Sequence, residues 1–331
     1  PVIVKPHSNA ILPAALTVRV LRELLTEQGL DPNVVQLAVF AQREHTQRLV
    51  THPEVKSIDF TGGCAFGNWL LEHCRQAQVY AELAGVNTVV IESTDDYQGM
   101  LRNLAFTLSL YSGQMCTTTQ AILVPAGGID TNEGHKSHED VGRDLARAIE
   151  ALLTDVKVAT AVLGAIQSEE TLRRIEEAAS GAFGRVLLAP RRIEHPEFPR
   201  AQVRTPVLVA CEAKDEAAYM EERFGPIAFV VAVPDAPQAA SLAERIVREH
   251  GALTLGVYST KPEYQQTMVE VSWRAGVALS LNLTDGVYVN QSAAFSDYHG
   301  TGMNPAANAS YADSAFVANR FRVIQRRWHV S

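Results

Sequence analysis

Within the first 85 residues, four short apolar runs are separated by three helical patterns, and that alternation leaves few folds open to the chain. Val2-Ile-Val4, Val34 to Phe40, Ser57 to Phe60 and Val79 to Leu83 read as strands. Residues 12–28, 43–51 and 66–76 read as helices; the first carries Val20, Leu21, Leu24 and Leu25 on one face and stops at Gly29. Such a series predicts a parallel sheet covered on both faces, with ligands bound beyond the carboxyl ends of its strands. Because the chain starts on a strand without an initiating Met, we expect a piece of a longer polypeptide.

A second α/β series starts at Asn87. Strands are predicted at Thr88 to Ile91, Gln120 to Val124, Val186 to Leu188, Val207 to Ala210, Ile227 to Val233 and Leu253 to Tyr258. Helices are predicted near 97–110, 139–153, 168–179 and 236–249, and a polar loop over Gly127 to Lys136. The change of pattern puts a boundary near residues 84–87, which closes a first α/β part at 1–85.

Composition removes several function classes. Lys plus Arg total 29 against 37 for Asp plus Glu, a net charge of −8, so no basic field exists to gather nucleic acid or anionic lipid. No apolar run approaches the roughly 20 residues of a spanning helix. The N-terminal residues lack a secretory pattern, so a cytoplasmic protein is expected. The four cysteines, 64, 74, 116 and 211, have no CxxC spacing, which in a reducing compartment argues against disulfides and zinc alike. Ten histidines include no HExxH pair, and no metal is expected.

Four clusters carry possible chemistry. Lys5-Pro-His-Ser8 follows the first strand, where a lysine can hydrogen-bond a nucleotide, although an exposed lysine is usually only solvated. Phe60-Thr-Gly-Gly-Cys-Ala-Phe-Gly67 joins a strand to a helix; Gly62 and Gly67 would let backbone approach a pyrophosphate at the helix N-terminus, or serve only as a structural turn. Glu82 ends the fourth strand, a position for a general base or for a solvated charge. Cys116 lies in Tyr111-Ser-Gly-Gln-Met-Cys-Thr-Thr-Thr-Gln120, a polar loop expected to favour ionisation of a nucleophilic thiol. The other three cysteines fall in helix or strand patterns and read as packing.

Together these residues resemble the aldehyde dehydrogenase superfamily. Glu82-Leu-Ala-Gly85 looks like its Glu-Leu-Gly-Gly base motif, and Gly113-Gln-Met-Cys116 like its Gly-Gln-x-Cys nucleophile motif, with the family's interval between them. Glu221-Glu-Arg-Phe-Gly-Pro226 looks like its Glu-x-Phe-Gly-Pro segment, which by resemblance gives Glu222 the nicotinamide ribose and Phe224 the nicotinamide ring. Phe60-Thr-Gly-Gly resembles the family's Phe-Thr-Gly-Ser turn, and Lys5 its ribose-binding lysine. The resemblance, which runs from residue 1 to about 290, implies the second half of a Rossmann-like cofactor domain over 1–85, a catalytic domain over 86–290 and a C-terminal oligomerisation segment over 291–331, in an enzyme that oxidises an aldehyde to the acid with NAD or NADP. Cys116 would form a thiohemiacetal and a thioester, and Glu82 would activate the hydrolytic water.

Departures shape further expectations. The family's oxyanion asparagine has no counterpart, so the chain as it stands is expected to be nearly inactive. Ser8 stands where many NAD-preferring members carry a glutamate, so NADP should be accepted. Ala84 replaces the first glycine of the base motif. Phe295-Ser-Asp-Tyr-His-Gly-Thr-Gly302 looks like the PaaN-type dehydrogenases of bacterial phenylacetate degradation, which would imply a semialdehyde substrate. Val323, Ile324 and Trp328 in the tail are read as a strand that adds to a partner's sheet in a dimer or tetramer. Two other readings stay open: a thioester or ester hydrolase using Cys116 without redox chemistry, and a fragment that serves only as a structural module.

Overall fold

The computed structural model describes residues 1–83, 85–288, 300–310 and Ala318. Two compact units emerge, one of Pro1–Ile58 with Glu72–Gln78, the other of Asp59–Leu71 with the chain from Val79 onward. Within the second unit, long-range hydrogen bonds clamp residues 79–83. Leu83 N–H donates to the Ala306 carbonyl (2.6 Å), Ala81 N–H to Asn308 Oδ1 (2.8 Å), and Asn308 N–H back to the Ala81 carbonyl (3.1 Å).

The first unit holds β1 (Val2–Val4), α1 (Ile11–Glu27), β2 (Val35–Leu37) and α2 (Arg43–Val50). β1 and β2 pair in parallel, Val2 opposite Val35 and Val4 opposite Leu37. The Arg22 guanidinium joins α1 to this pair by donating to the carbonyls of Pro32 and Val35, each at 2.9 Å. The expected four-stranded sheet does not form, because β3 (Ser57–Gly62) and β4 (Gln78–Leu83) make a pair of their own, joined by α3 (Cys64–His73). A two-stranded sheet covers little of a helix. The face expected to be buried, Val20, Leu21 and Leu24, is accordingly exposed, and α1 buries Val18 instead.

The second unit continues with β5 (Thr88–Ile91), β6 (Ser93–Thr94), α4 (Tyr97–Ser109), β7 (Ala121–Pro125), β8 (Ile129–Thr131), β9 (Gly134–Lys136), α5 (His138–Leu152), α6 (Val156–Val162) and α7 (Glu169–Ala179). It then runs through β10 (Arg185–Leu188), β11 (Arg192–Ile193), β12 (Val203–Arg204), β13 (Val207–Glu212), α8 (Glu216–Tyr219), β14 (Ile227–Val233), α9 (Ala236–His250), β15 (Thr254–Tyr258), α10 (Pro262–Ala275) and β16 (Ala278–Leu281). Seven strands form one sheet in the order β10-β13-β14-β7-β5-β15-β16, parallel except for β10.

Its central strands read Ala-Ile-Leu-Val-Pro, Thr-Val-Val-Ile and Thr-Leu-Gly-Val-Tyr, buried at every position. Continuous apolar runs of this kind suit strands covered on both faces. Alternate residues divide between two cores. Val90 and Leu123 pack with Ile175, Ile246 and Met268 of α7, α9 and α10, whereas Val89, Ile91 and Ile122 pack with Met100, Leu104 and Leu145 of α4 and α5. Helices on both faces of a parallel sheet give the doubly covered α/β architecture the sequence predicted. The expected polar loop 127–136 contains the β8–β9 hairpin, and the sequence reading did not place α6, α10 or β16. Ala84 and the tail strand around Val323, Ile324 and Trp328 lie outside the described residues.

Candidate active site

The nucleophile loop begins where α4 ends. Tyr111 and Ser112 have φ of 51° and 52°, followed by Gly113 at 62°. Left-handed backbone costs a non-glycine residue about 1–2 kcal/mol, so two in succession persist only where neighbours hold them. The buried Ser112 hydroxyl donates toward the carbonyls of Gly164 (2.9 Å) and Arg204 (3.0 Å). Gln114 Nε2 donates to the carbonyls of Tyr111 (3.0 Å) and Ala165 (2.9 Å), and its Oε1 accepts from Gln167 N–H (3.0 Å). A Cβ on Gly113 would lie 2.4 Å from the Gly225 carbonyl oxygen, so the Gly-Gln-Met-Cys and Glu-Arg-Phe-Gly-Pro segments meet backbone to backbone. Cys116 emerges half-buried at the amino end of β7.

Glu82, at the carboxyl end of β4, lies close enough to Cys116 to act on its thiol. Burial pushes that thiol up to about 11, the negative charge of Glu82 adds to the rise, and Glu222 contributes further. The backbone N–H of Cys116 itself pulls the other way. This overturns the expectation that the loop favours ionisation: the loop is polar in sequence, but folding desolvates the sulfur and sets a carboxylate against it. A thiol held in this way becomes a nucleophile only when a base removes its proton, and Glu82 is a carboxylate near it.

Glu222 and Phe224 lie on the stretch that leads into β14, facing the same loop. Gln120 ties the two together. Buried at the head of β7, it donates from Nε2 to the carbonyls of Tyr219 (3.0 Å) and Glu221 (2.8 Å) and accepts at Oε1 from Arg223 N–H (2.6 Å). The sequence reading passed over Gln120; the available signal was an amide at the start of a wholly apolar strand. Burial lifts the Glu222 carboxyl to about 7, with the positive charge of Arg174 pulling it back only in part. Among the described residues no side chain hydrogen-bonds it. A largely buried carboxylate left with unused acceptors matches what a ribose diol needs.

The other expected cofactor residues separate. Gly67 is buried, and a Cβ there would meet Leu83 Cδ2 at 2.1 Å, so its small size serves the packing of α3 on β4. A Cβ on Gly62 would meet the Phe60 ring at 2.8 Å. Gly63, between β3 and α3, is the position with open space beside it. Lys5 and Ser8 belong to the first unit, both exposed, Lys5 directly after β1 and Ser8 opening the short 3-10 turn before α1.

The second unit thus places the Cys116 thiol and the carboxyl groups of Glu82 and Glu222 where the carboxyl end of β4 meets the amino ends of β5, β7 and β14. Known proteins resemble the chain in sequence and fold. The chain is 52% identical to the crystal structure of an NAD-dependent aldehyde dehydrogenase from Burkholderia multivorans, with a TM-score of 0.93 over 99% of this chain and 59% of that one. It is 33% identical to a geranial dehydrogenase of Castellaniella defragrans over 44% of this chain and 31% of the relative. A 1-pyrroline-5-carboxylate dehydrogenase of Bacillus cereus is 26% identical over 80% of this chain and 49% of its own length. The chain therefore spans half or less of these curated relatives. With the model of the aldehyde dehydrogenase family matching residues 1–315, the chain belongs to that family.

Proposed function

We propose that the polypeptide to which this chain belongs oxidises an aldehyde to its carboxylic acid, with Cys116 as nucleophile and Glu82 as general base. The observation that carries the reading is that the carboxylate ending β4 lies near enough to a half-buried thiol to act on it. Glu82 takes the thiol proton, and the thiolate attacks the aldehyde carbon to give a thiohemiacetal. The developing oxyanion finds the Cys116 backbone N–H as a donor. A bound nicotinamide dinucleotide would supply the acceptor for the hydride whose loss from this adduct leaves a thioester. Glu222 is the residue suited to hold its ribose and Phe224 its nicotinamide; Gly63 leaves room at the turn before α3. Once Glu82 has released the thiol's proton to solvent, it removes a proton from water, which hydrolyses the thioester and expels Cys116 as the thiolate, to be reprotonated in turn.

Retention of Glu82 favours hydrolysis to the free acid. The exposed Ser8 places no negative charge in its turn, which supports use of NADP beside NAD. The likeness of residues 295–302 to phenylacetate-degrading dehydrogenases supports a semialdehyde as substrate. Among the described residues β16 forms one edge of the seven-stranded sheet, a surface suited to strand addition in a homo-oligomer.

The test is cofactor reduction by the protein with NADP and with NAD, over a panel of aliphatic and aromatic aldehydes, beside Cys116→Ala. Reduction by the parent and none by the variant is expected. Ester turnover through Cys116 with no cofactor reduction on any aldehyde would sink the dehydrogenase reading.

A further inference from the structure

Asn87 is 2% exposed, and the mechanism above gives it no role. Every hydrogen-bonding position of its amide is occupied. Nδ2 donates to the carbonyl of Cys116 at 2.7 Å and of Thr118 at 3.0 Å. Oδ1 accepts from the N–H groups of Leu253 and Thr254, both at 3.0 Å. Its own carbonyl accepts from Gln120 N–H (2.9 Å) and Ala121 N–H (3.2 Å). One side chain therefore joins the nucleophile loop, the start of β15 and the short link that leaves Glu82.

We propose that Asn87 is a positioning residue that fixes the Cys116 peptide relative to Glu82, so that the thiol and its base stay close. The inference rests on the proposed roles of those two groups. Cys116 is preceded by a left-handed turn and followed by a loop, so no helix or strand hydrogen bond fixes the orientation of its carbonyl. The Asn87 amide supplies that constraint from a position only five residues beyond Glu82 on the same chain. A bond to the peptide of the nucleophile sets where its side chain begins, and small displacements of reacting groups carry large rate penalties.

Asn304 provides an internal control. It is equally saturated, with Nδ2 donating to the carbonyls of Ala252 (2.9 Å) and Gly276 (2.8 Å) and Oδ1 accepting from Ala252 N–H (3.2 Å) and Ala306 N–H (3.0 Å). It grips the segment before β15 without bonding the nucleophile loop.

The experiment compares Asn87→Ser and Asn304→Ser, each with and without Glu82→Gln, by following iodoacetamide alkylation of the Cys116 peptide against pH by mass spectrometry. In the parent, Glu82→Gln should speed alkylation at pH 8 by about tenfold, the effect of one unit in thiol acidity. With Asn304→Ser that response should persist, and with Asn87→Ser it should fall below about twofold. An equal response in both backgrounds, or none in the parent, overturns the proposal. If Asn87→Ser fails to give a cooperative melt, Asn87→Gln keeps the amide on a longer arm and should reduce the response; an undiminished response there also overturns it. Alkylation needs neither aldehyde nor cofactor, so failure of dehydrogenase activity leaves this result readable on its own.

Discussion

Cys116 rests as a thiol because folding both buries it and sets Glu82 against it. Glu82→Gln should therefore divide two properties that usually move together: alkylation near neutral pH becomes faster, while steady-state turnover is lost for want of a base. A variant slow in both would show that the carboxylate does not act on the sulfur. Glu222 yields a second prediction, on stability. Its folded value of about 7 stands above the ordinary 4.5, so over that window the folded state holds more protons than the unfolded chain, and stability falls as pH rises. The difference corresponds to about 3 kcal/mol. Glu222→Gln should melt higher than the parent by several degrees at pH 8 and nearly equally at pH 5; an equal gain at both pH values would refute the assignment. Cys116, Glu82, Glu222 and Phe224 were legible as candidates from their motifs. The direction of the thiol shift was not, because it depends on which groups surround the sulfur after folding.

At the scale of elements, the nucleophile loop is held by contacts to segments distant in sequence. Gly113 has φ of 62° and stands against the Gly225 carbonyl oxygen, 2.4 Å from where a Cβ would be. Gly113→Ala should cost about 2–4 kcal/mol in chemical denaturation, combining a left-handed residue with overpacking against backbone that cannot yield. Ser112→Ala leaves two inward carbonyls short of a donor and should cost about 1–3 kcal/mol. A loss under 0.5 kcal/mol in either variant would show that the turn relaxes freely. Periodicity located the buried strands of the large sheet and the long amphipathic helices within a few residues. It was uninformative for the β8–β9 hairpin, whose three-residue strands carry charge and almost no apolar alternation. It also mistook the face of α1, since a helical stripe announces what is available for burial and cannot tell what neighbour will cover it.

At the scale of the molecule, the second unit keeps the candidate site and an ion pair between a buried carboxylate and a half-exposed lysine at opposite ends of one sheet. Beyond the carboxyl ends of β5 and β15, the buried Glu92 accepts from Lys261 Nζ (2.5 Å) and from the hydroxyls of Ser93 and Ser259 (2.7 Å each). Burial alone would raise this carboxyl, but the bonds from Lys261, Ser259 and Ser93 outweigh it and hold it below its ordinary value. Its contribution is complete above pH 4.5 and is lost as pH falls through the depressed folded value. Lys261→Met should cost about 1–3 kcal/mol at pH 7, the lysine being half-exposed, and the gap to the parent should close on acidification. A pH-independent gap would assign the loss to packing. The sequence by itself determined the α/β class, the order of the motifs and the residue types that carry the chemistry, because side-chain period and local turn chemistry are short-range properties. Only the tertiary structure decided that four early strands form two separate pairs, that residues 79–83 are clamped by residues 306–308, and that a polar loop becomes a desolvated site. Each of those outcomes depends on groups far apart along the chain, whose meeting no local pattern records.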